Sequence, residues 1–265
     1  MRLPEPFYAW DEHVGIDLAG ARVVFTTRRG GLSEGPYATL NLGRLTDDRA
    51  EAVRQNRSRL EQKIGARIAY IRQVHGTTVR TVESTADVGV APLPAEDIKL
   101  VDADAQATRL EGVAPMVMTA DCLPIALAAR GRTGAEDGGT DAGAVAMLHA
   151  GWRGLAAGIV TEGVRAIRDL GADGPLEAAI GPGAGGCCYE VGDEVREVFA
   201  GYGERVRDGR NLDLKAIARD QLEGAGVQTV HDVELCTICA DESLFFSHRR
   251  DRGVTGRQAG LVWLS

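Results

Sequence analysis

Residues 144–171, AVAMLHAGWRGLAAGIVTEGVRAIRDLG, join an apolar strand-like run to a helical pattern through a glycine-rich turn. The run from Ala144 to Leu148 is typical of a buried strand. After the turn, apolar or small residues recur on one helical face: Leu155, Ile159, Gly163, Ala166 and Leu170. Gly171 follows at the position where helices commonly stop. The stretch therefore predicts a strand, a turn and one helix, with His149 at the end of the strand.

The rest of the chain alternates strand-like and helical stretches without a regular βαβ rhythm. Strand-like stretches lie at 23–26, 68–74, 116–118, 125–128, 145–149, 176–180, 230–235 and 260–264. Helical patterns cover 48–64, followed by Gly65, and 213–222, which begins with the capping residue Asp213. Segments 90–96 and 131–143 are predicted loops rather than domain linkers. We expect an α/β (α+β) fold with a mixed sheet, in a single domain over residues 1–265.

Three apolar runs are each followed by one residue that can bind a metal ion, namely His75, Cys122 and His149. Two imidazoles and a thiolate suit zinc, and three protein ligands leave a fourth position open, as in catalytic zinc sites. Each residue also has an ordinary interpretation: a strand-end cysteine often packs as a small apolar side chain, and a lone histidine usually only forms hydrogen bonds within the fold. The spacings of 47 and 27 residues form no compact ligand motif, so spacing alone does not decide between these interpretations.

Six phrases of the sequence together carry a resemblance to a known family: RQVHGTTV, DADAQAT, TADCLPIAL, LHAGWRGLAAGIV, IGPGAGGCCYEVGDEV and CTICADESLFFSHRRDRGVTGR. In this order they resemble the signature blocks of the YfiH-type laccase-domain family. The resemblance implies a four-layer α/β sandwich and a zinc site at His75, Cys122 and His149. It also implies a purine nucleoside phosphorylase with adenosine deaminase and methylthioadenosine phosphorylase activity. Members have also been described as copper polyphenol oxidases and as peptidoglycan editing factors.

Catalysis on nucleosides would need groups beyond the three metal ligands. A bound zinc lowers the pKa of water, which suits deamination of adenosine, and Asp121 is our candidate for moving protons. Asp121 could instead cap the turn before the thiolate. Phosphorolysis needs a phosphate, which arginine holds through paired donors. We assign Arg72 and Arg153 to catalysis with Asp121, and Arg28 and Arg249 to substrate or phosphate binding. Arg249 lies in the basic segment 247–257, which could also be a solvated turn.

The segment GPGAGG, residues 181–186, matches the G-x-G-x-x-G pattern after a strand-like run. A dinucleotide site also needs a strand ending in an acidic residue about 20 residues further on, and no good candidate follows. We therefore interpret the segment as a turn whose backbone passes close to a neighbour.

Four further cysteines lie outside the proposed zinc site. Cys236 and Cys239 form one C-x-x-C, which could be half a zinc site or a redox pair. No second pair or thioredoxin-like context accompanies it in the sequence, so we favour structural thiols. Cys187 and Cys188 are adjacent, so in an extended segment their side chains would point to opposite sides, with at most one facing the pocket.

Composition excludes several classes of partner. The net charge of −8 and a pI near 5.2 argue against a nucleic-acid polymer or an anionic membrane. No signal peptide or membrane-length apolar run is seen, and five cysteines in a chain of this length favour a reducing compartment, so we expect a cytoplasmic protein. The expected partners are a small nucleoside and phosphate.

The sequence thus predicts a zinc-dependent purine nucleoside enzyme, and three other functions stay open. A Cys-His amidase that edits peptidoglycan precursors would use Cys122 as nucleophile and His75 or His149 as base. A copper polyphenol oxidase is disfavoured, because copper oxidase centres need more histidines than the five present, although copper itself could occupy the site. A metal-binding module without catalysis would need a fourth protein ligand, such as Asp121 or another cysteine.

Overall fold

The computed structural model describes residues 2–88, 100–131 and 143–265. Fourteen strands are numbered in chain order: β1 Tyr8–Trp10, β2 His13–Leu18, β3 Ala21–Phe25, β4 Arg67–Ala69, β5 Val79–Val82, β6 Ala105–Thr108, β7 Val113–Thr119, β8 Leu123–Ala129, β9 Ala144–Ala150, β10 Leu176–Ile180, β11 Arg207–Asp208, β12 Asn211–Leu212, β13 Thr229–Asp232 and β14 Gln258–Leu264. Five α-helices lie among them: α1 Ala50–Ile64, α2 Trp152–Ala157, α3 Ile159–Asp169, α4 Asp193–Val198 and α5 Leu214–Gly224. The predicted loop at 90–96 and residues 132–142 of the predicted loop 131–143 lie outside the described residues.

Two six-stranded sheets form the centre of the fold, and both are mixed. The first has the order β1-β2-β3-β14-β7-β4, in which only the β4·β7 pair is parallel. The second has the order β13-β10-β8-β9-β6-β5, with parallel pairs at both edges, β10·β13 and β5·β6. The expectation of a mixed rather than doubly wound α/β fold is therefore confirmed.

Three apolar clusters show how the layers stack. One joins α1 to the outer face of the first sheet through Leu60, Met116 and Leu261. A second lies between the sheets, and a third packs α2, α3 and α5 on the outer face of the second sheet. The order is helix, sheet, sheet, helices, which agrees with the four-layer sandwich that the resemblance implied.

Local signals in the sequence account for most of the helices and strands. Helix α1 ends where Gly65 adopts a left-handed φ of 67°, and Asp213 caps α5 by accepting from the N–H groups of Lys215 and Ala216. Three predictions were wrong in extent. The helix after His149 is broken into α2 and α3 at Gly158, whose φ is 94°. The strand predicted over 68–74 ends at Ala69, and the strand predicted over 230–235 ends at Asp232. No helix in the described parts of the chain has the length and hydropathy needed to span a membrane.

Candidate metal centre and pocket

Strand pairing in the second sheet brings the predicted metal ligands to one edge. Strands β8 and β9 are antiparallel, with Pro124 opposite His149, so Cys122, which directly precedes β8, lies beside the end of β9. His75 comes from a loop rather than from a strand end. This loop follows an isolated parallel bridge between Arg72 and Asp102, which places it against the start of β6.

The potential ligand atoms of His75, Cys122 and His149 lie within 4.8 Å of one another. Nε2 of His75 is 3.9 Å from Sγ of Cys122, and the two imidazole rings meet edge to face with centroids 4.8 Å apart. Gly151 completes the cradle, because a Cβ at that position would lie 3.0 Å from Sγ of Cys122 and 3.3 Å from the His75 ring. His149 is buried and His75 is exposed, so the cluster opens towards solvent on one side.

Asp104 holds two of the three residues in place, and the sequence did not single it out. Its fully buried carboxylate lies 2.8 Å from Nδ1 of His149 and accepts N–H bonds from Val74, His75 and Gly76. Because a carboxylate at Nδ1 fixes the hydrogen there, Nε2 of His149 is left to bind a metal. The available signal was the second aspartate of DADAQAT, directly before a buried strand.

Electrostatics favour the thiolate form of Cys122. Burial raises the pKa of this thiol, but the charge and hydrogen bonds of His149 and His75 outweigh burial and lower the pKa to about 6. Burial likewise lowers the pKa of His149, whereas the Cys122 thiolate and Asp104 raise it to about 9. The cluster is therefore charged at neutral pH and already holds sulfur in the form that ligates metals or attacks electrophiles.

The three residues lie in the wall of a cavity of about 990 Å³. Its described lining carries two acidic residues, Asp102 and Asp121, against six arginines: Arg44, Arg57, Arg72, Arg153, Arg249 and Arg257. A locally basic pocket in a chain of net charge −8 indicates an anionic ligand. The cavity is large enough for a small molecule such as a nucleoside.

Three of the four arginines predicted to act in the site do line this pocket. Arg72 pairs with Asp102 at the rim, and the guanidinium of Arg249 donates to the carbonyl of Glu190 at 2.7 Å. Arg153 stacks over Trp152 at 4.3 Å and has no carboxylate partner among the described residues. Of the three, Arg153 is the most available to an incoming anion.

The predicted role of Arg28 in phosphate binding stays a prediction, and its contacts do not favour it. Arg28 does not line the pocket; its guanidinium donates to three backbone carbonyls, those of Ala38, Glu242 and Pro36, and lies over the Phe246 ring. By donating to these carbonyls, the guanidinium holds two loops together. These contacts favour a structural role for Arg28.

Asp121 lies beside Cys122 with both carboxylate oxygens engaged. Oδ1 accepts from the hydroxyl of Thr237 and Oδ2 from the backbone N–H of Arg249, each at 2.7 Å. The residue is buried and has a φ of 89°, a left-handed value that these bonds stabilise. These contacts favour the second interpretation of Asp121, as the residue that fixes the turn before Cys122, and its role in proton transfer stays a prediction.

Buried polar atoms without partners mark another part of the same pocket. Nη1 of Arg44, the hydroxyl of Tyr70 and Oγ1 of Thr119 have no hydrogen-bond partner among the described residues, and all three residues line the cavity. Leaving such groups unpaired costs about 1–3 kcal/mol each. A ligand that supplies oxygens there would recover that free energy. Sequence patterns gave no signal for this group, because its members come from separate segments.

Comparison with known proteins places the chain among bacterial relatives. Residues 22–265 match a family model described as multi-copper polyphenol oxidoreductase laccase. A purine nucleoside phosphorylase of Streptomyces coelicolor is 40% identical, and the match covers 92% of this chain and 96% of that relative. Purine nucleoside phosphorylase YfiH of Escherichia coli is 35% identical, and the match covers 92% of this chain and 94% of that relative. Among solved structures, YfiH of Bacillus licheniformis has a TM-score of 0.84 at 29% identity, covering 99% and 100%. YlmD of Geobacillus stearothermophilus has a TM-score of 0.81 at 34% identity, covering 98% and 99%.

Proposed function

Because the chain belongs to the YfiH-type laccase-domain family, we propose that it is a zinc-dependent purine nucleoside phosphorylase that also deaminates adenosine. In this proposal adenosine, inosine or methylthioadenosine reacts with phosphate to give the free base and ribose 1-phosphate or methylthioribose 1-phosphate. The observation that carries the proposal is the open His75, Cys122 and His149 cluster in the wall of an arginine-rich pocket. We further propose that the chain acts as a single domain in the cytoplasm.

The donor set fits zinc. Two imidazole nitrogens and one thiolate sulfur are common zinc ligands, and the carboxylate of Asp104 on Nδ1 of His149 is a frequent outer partner in such sites. When bound, zinc supplies Lewis acidity, which can polarise a substrate group or lower the pKa of water. Copper shares these ligand types, so metal analysis has to decide between the two.

The lining of the pocket offers groups for the attacking phosphate and for the departing purine. Phosphorolysis forms a bond from a phosphate oxygen to the anomeric carbon while the bond from that carbon to the purine nitrogen breaks. Arg153 and Arg249 can hold the phosphate, and the aromatic face of Trp152 can flank a purine. The departing purine takes the electron pair and needs a proton or a hydrogen-bond donor.

Tyr189 can act as such a hydrogen-bond donor. Burial, the neighbouring Cys122 thiolate and Asp121 raise its pKa to about 12, against the opposing charges of Arg249 and Arg153. The phenol therefore keeps its proton at neutral pH. Its position in the pocket wall would let it stabilise the leaving purine without itself becoming ionised.

A product assay on purified protein of known metal content tests the proposal. Adenosine with phosphate should give adenine and ribose 1-phosphate, and adenosine without phosphate should give inosine. Cys122→Ala, matched in concentration and folded by circular dichroism, should give neither product. Fully zinc-loaded wild-type protein that forms neither ribose 1-phosphate nor inosine would contradict the proposal.

A Cys-His hydrolase or amidase is the second candidate. In thiol hydrolases a cysteine contacts a histidine that in turn contacts an acidic or amide side chain, and Cys122, His149 and Asp104 are arranged in this way. That mechanism needs one imidazole near the sulfur. The second imidazole of His75, with Nε2 only 3.9 Å from Sγ, is explained by metal binding and not by a thiol nucleophile.

A further inference from the structure

The four cysteines outside the pocket form a second cluster. Strands β10 and β13 are parallel neighbours, so the segments that follow them leave the sheet at the same edge. An isolated bridge from Gly183 to Cys236 continues that pairing, and the N–H of Thr237 donates to the carbonyl of Gly183 at 3.0 Å. The Cys187-Cys188 pair and the C-x-x-C pair are thereby brought together.

The expectation that Cys236 and Cys239 lack a partner pair is therefore wrong, as is the expectation that Cys187 and Cys188 point apart. All four sulfurs lie within 4.8 Å of one another, and Sγ of Cys187 is 3.6 Å from Sγ of Cys239. The chain turns at Cys187 and Cys188 rather than running extended, so adjacent side chains can share one centre. The pairing of distant strands, which no local pattern reveals, produces the cluster.

These spacings match a single tetrahedral metal ion. A zinc ion about 2.3 Å from each of four sulfurs sets neighbouring sulfurs about 3.8 Å apart. A cluster of several iron atoms and sulfides would need its cysteines farther apart, because the inorganic core lies between them. The geometry therefore favours a mononuclear site.

The backbone around Cys236 is arranged for a thiolate. The N–H of Gly185 donates to Sγ of Cys236 at 3.3 Å, and the N–H groups of Ile238 and Cys239 point to the same sulfur. Gly185 favours this approach, because a Cβ there would make tight contacts, 3.2 Å from Cβ of Cys236 and 3.3 Å from Sγ of Cys187. The neighbour that the GPGAGG turn approaches on this side is thus the cysteine cluster.

We propose that Cys187, Cys188, Cys236 and Cys239 bind one zinc ion in a closed tetrathiolate site, separate from the His75, Cys122 and His149 site. Four protein ligands leave no position for substrate, so this ion is structural. Binding releases the thiol protons to solvent and clamps the two segments that follow β10 and β13. All five cysteines of the chain then act as zinc ligands, one in the pocket and four in this site.

The second site also supports the first. Thr237 lies between the two cysteines of the C-x-x-C, and its hydroxyl donates to Asp121, the residue before Cys122. Its carbonyl accepts from the guanidinium of Arg250 at 2.9 Å. Zinc in the tetrathiolate site would fix Thr237, and through it the turn that carries Cys122. Cys236, Cys239 and Thr237 are therefore positioning residues for the pocket.

Zinc stoichiometry in matched variants tests the proposal without reference to activity. Wild-type protein should contain two zinc ions per chain. Cys122→Ala should contain one, held by the four cysteines, and Cys236→Ser should contain one, held by the pocket cluster. Cobalt in place of zinc should give the absorption of a tetrathiolate site in Cys122→Ala and that of a site with one sulfur in Cys236→Ser. Cys239→His should retain both ions, since imidazole can replace one thiolate.

A second measurement keeps the proposal testable if Cys236→Ser fails to fold. In Cys122→Ala, which leaves the tetrathiolate cluster intact, titration with a mercurial should release one zinc as four thiols react. Folded Cys122→Ala with no metal, or with disulfide bonds between these cysteines by mass spectrometry, would overturn the proposal. Iron at one per chain would overturn the assignment to zinc. Wild-type protein with two bound zinc ions and no nucleoside turnover would count against the proposed function and leave this site standing.

Discussion

The carboxylate of Asp104 and the imidazole of His149 form a buried polar contact behind the pocket wall, 2.8 Å from oxygen to Nδ1. The same carboxylate holds the loop of His75 through backbone N–H groups. One side chain therefore orients two of the three proposed ligands. Burial raises the pKa of Asp104, whereas its bonds to His149 and to the backbone of the loop lower it. The bonds outweigh burial, so the pKa stays below its usual range.

Replacing Asp104 should weaken metal binding without removing a ligand. We expect Asp104→Asn to lower the affinity of the pocket site for zinc about 10–100-fold, because an amide cannot accept all the N–H bonds that the carboxylate accepts. Competition with a chromophoric chelator measures this. Asp102→Asn is the matched control, since Asp102 lies at the rim and pairs with Arg72. Equal zinc affinity in Asp104→Asn and wild-type protein would remove Asp104 from the site.

Tyr70 should separate stability from ligand binding. Its hydroxyl is buried without a partner among the described residues, so Tyr70→Phe removes an unpaired group and should leave the free energy of unfolding unchanged or raise it by about 1 kcal/mol. If the hydroxyl serves a ligand, the same change should raise KM for nucleoside or phosphate. Thermal unfolding and steady-state kinetics measure the two effects. A stability loss with unchanged KM would show that the hydroxyl has a structural partner instead.

Arg153 and Arg28 give opposite expectations for the same substitution. Arg153→Gln should raise KM for phosphate about tenfold or more, since a charged hydrogen bond contributes about 1.5–3 kcal/mol. Arg28→Gln should leave that KM unchanged and lower stability, because three backbone carbonyls lose their donor. A phosphate titration at saturating nucleoside, together with a melting curve, measures both variants. An Arg28→Gln protein with raised KM would support the assignment of Arg28 to phosphate binding.

Cys122 separates the metal enzyme from the thiol hydrolase. If Cys122 is a zinc ligand, its sulfur should be alkylated slowly until a chelator removes the metal. Nucleoside turnover should be lost when the metal is removed and should return when zinc is added. Intact mass after timed alkylation, followed by a nucleoside assay, measures this. Full turnover by metal-free protein, with acyl transfer to Cys122, would support the amidase.

His13 predicts a specific dependence of stability on pH. It lies in the first sheet, buried, with Nδ1 accepting the N–H of Thr27 at 3.2 Å. Burial, together with the charge of Lys63, lowers its pKa from 6.5 to about 4. Below pH 6.5 the unfolded chain binds a proton that the folded chain does not, so the free energy of unfolding falls until the pH reaches about 4, by up to about 3 kcal/mol.

A variant isolates this contribution from other titrating groups. The stability difference between wild-type protein and His13→Gln should shrink as the pH falls from 7 to 4, measured by urea unfolding. His248→Gln, at an exposed position, should follow the wild-type curve. Parallel curves for wild-type protein and His13→Gln would contradict the low pKa.

Local patterns carried much of the fold but not its long-range pairing. Helix α1 and the capped start of α5 could be predicted, because a glycine stop and an aspartate cap act within one turn. The break at Gly158 could not, because a glycine within a helical pattern is compatible with a continuous helix as well.

The site also contains residues that the sequence could predict and residues that it could not. The ligands His75, Cys122 and His149 could be proposed from donor chemistry and family resemblance. Asp104 and the tetrathiolate cluster could not, since each depends on which strands pair. Arg28 shows a further limit of the sequence: its guanidinium donates to carbonyls that only the folded loops bring near.

Strand β14, residues 258–264, lies between β3 and β7 in the first sheet. During synthesis, β3 and β7 are made more than a hundred residues before the strand that joins them, so until then each exposes an unpaired edge. Such edges pair readily with other chains. Translation that stops before Gln258 should therefore yield aggregating fragments rather than a smaller folded protein, and cells would have to protect the nascent chain until that segment leaves the ribosome.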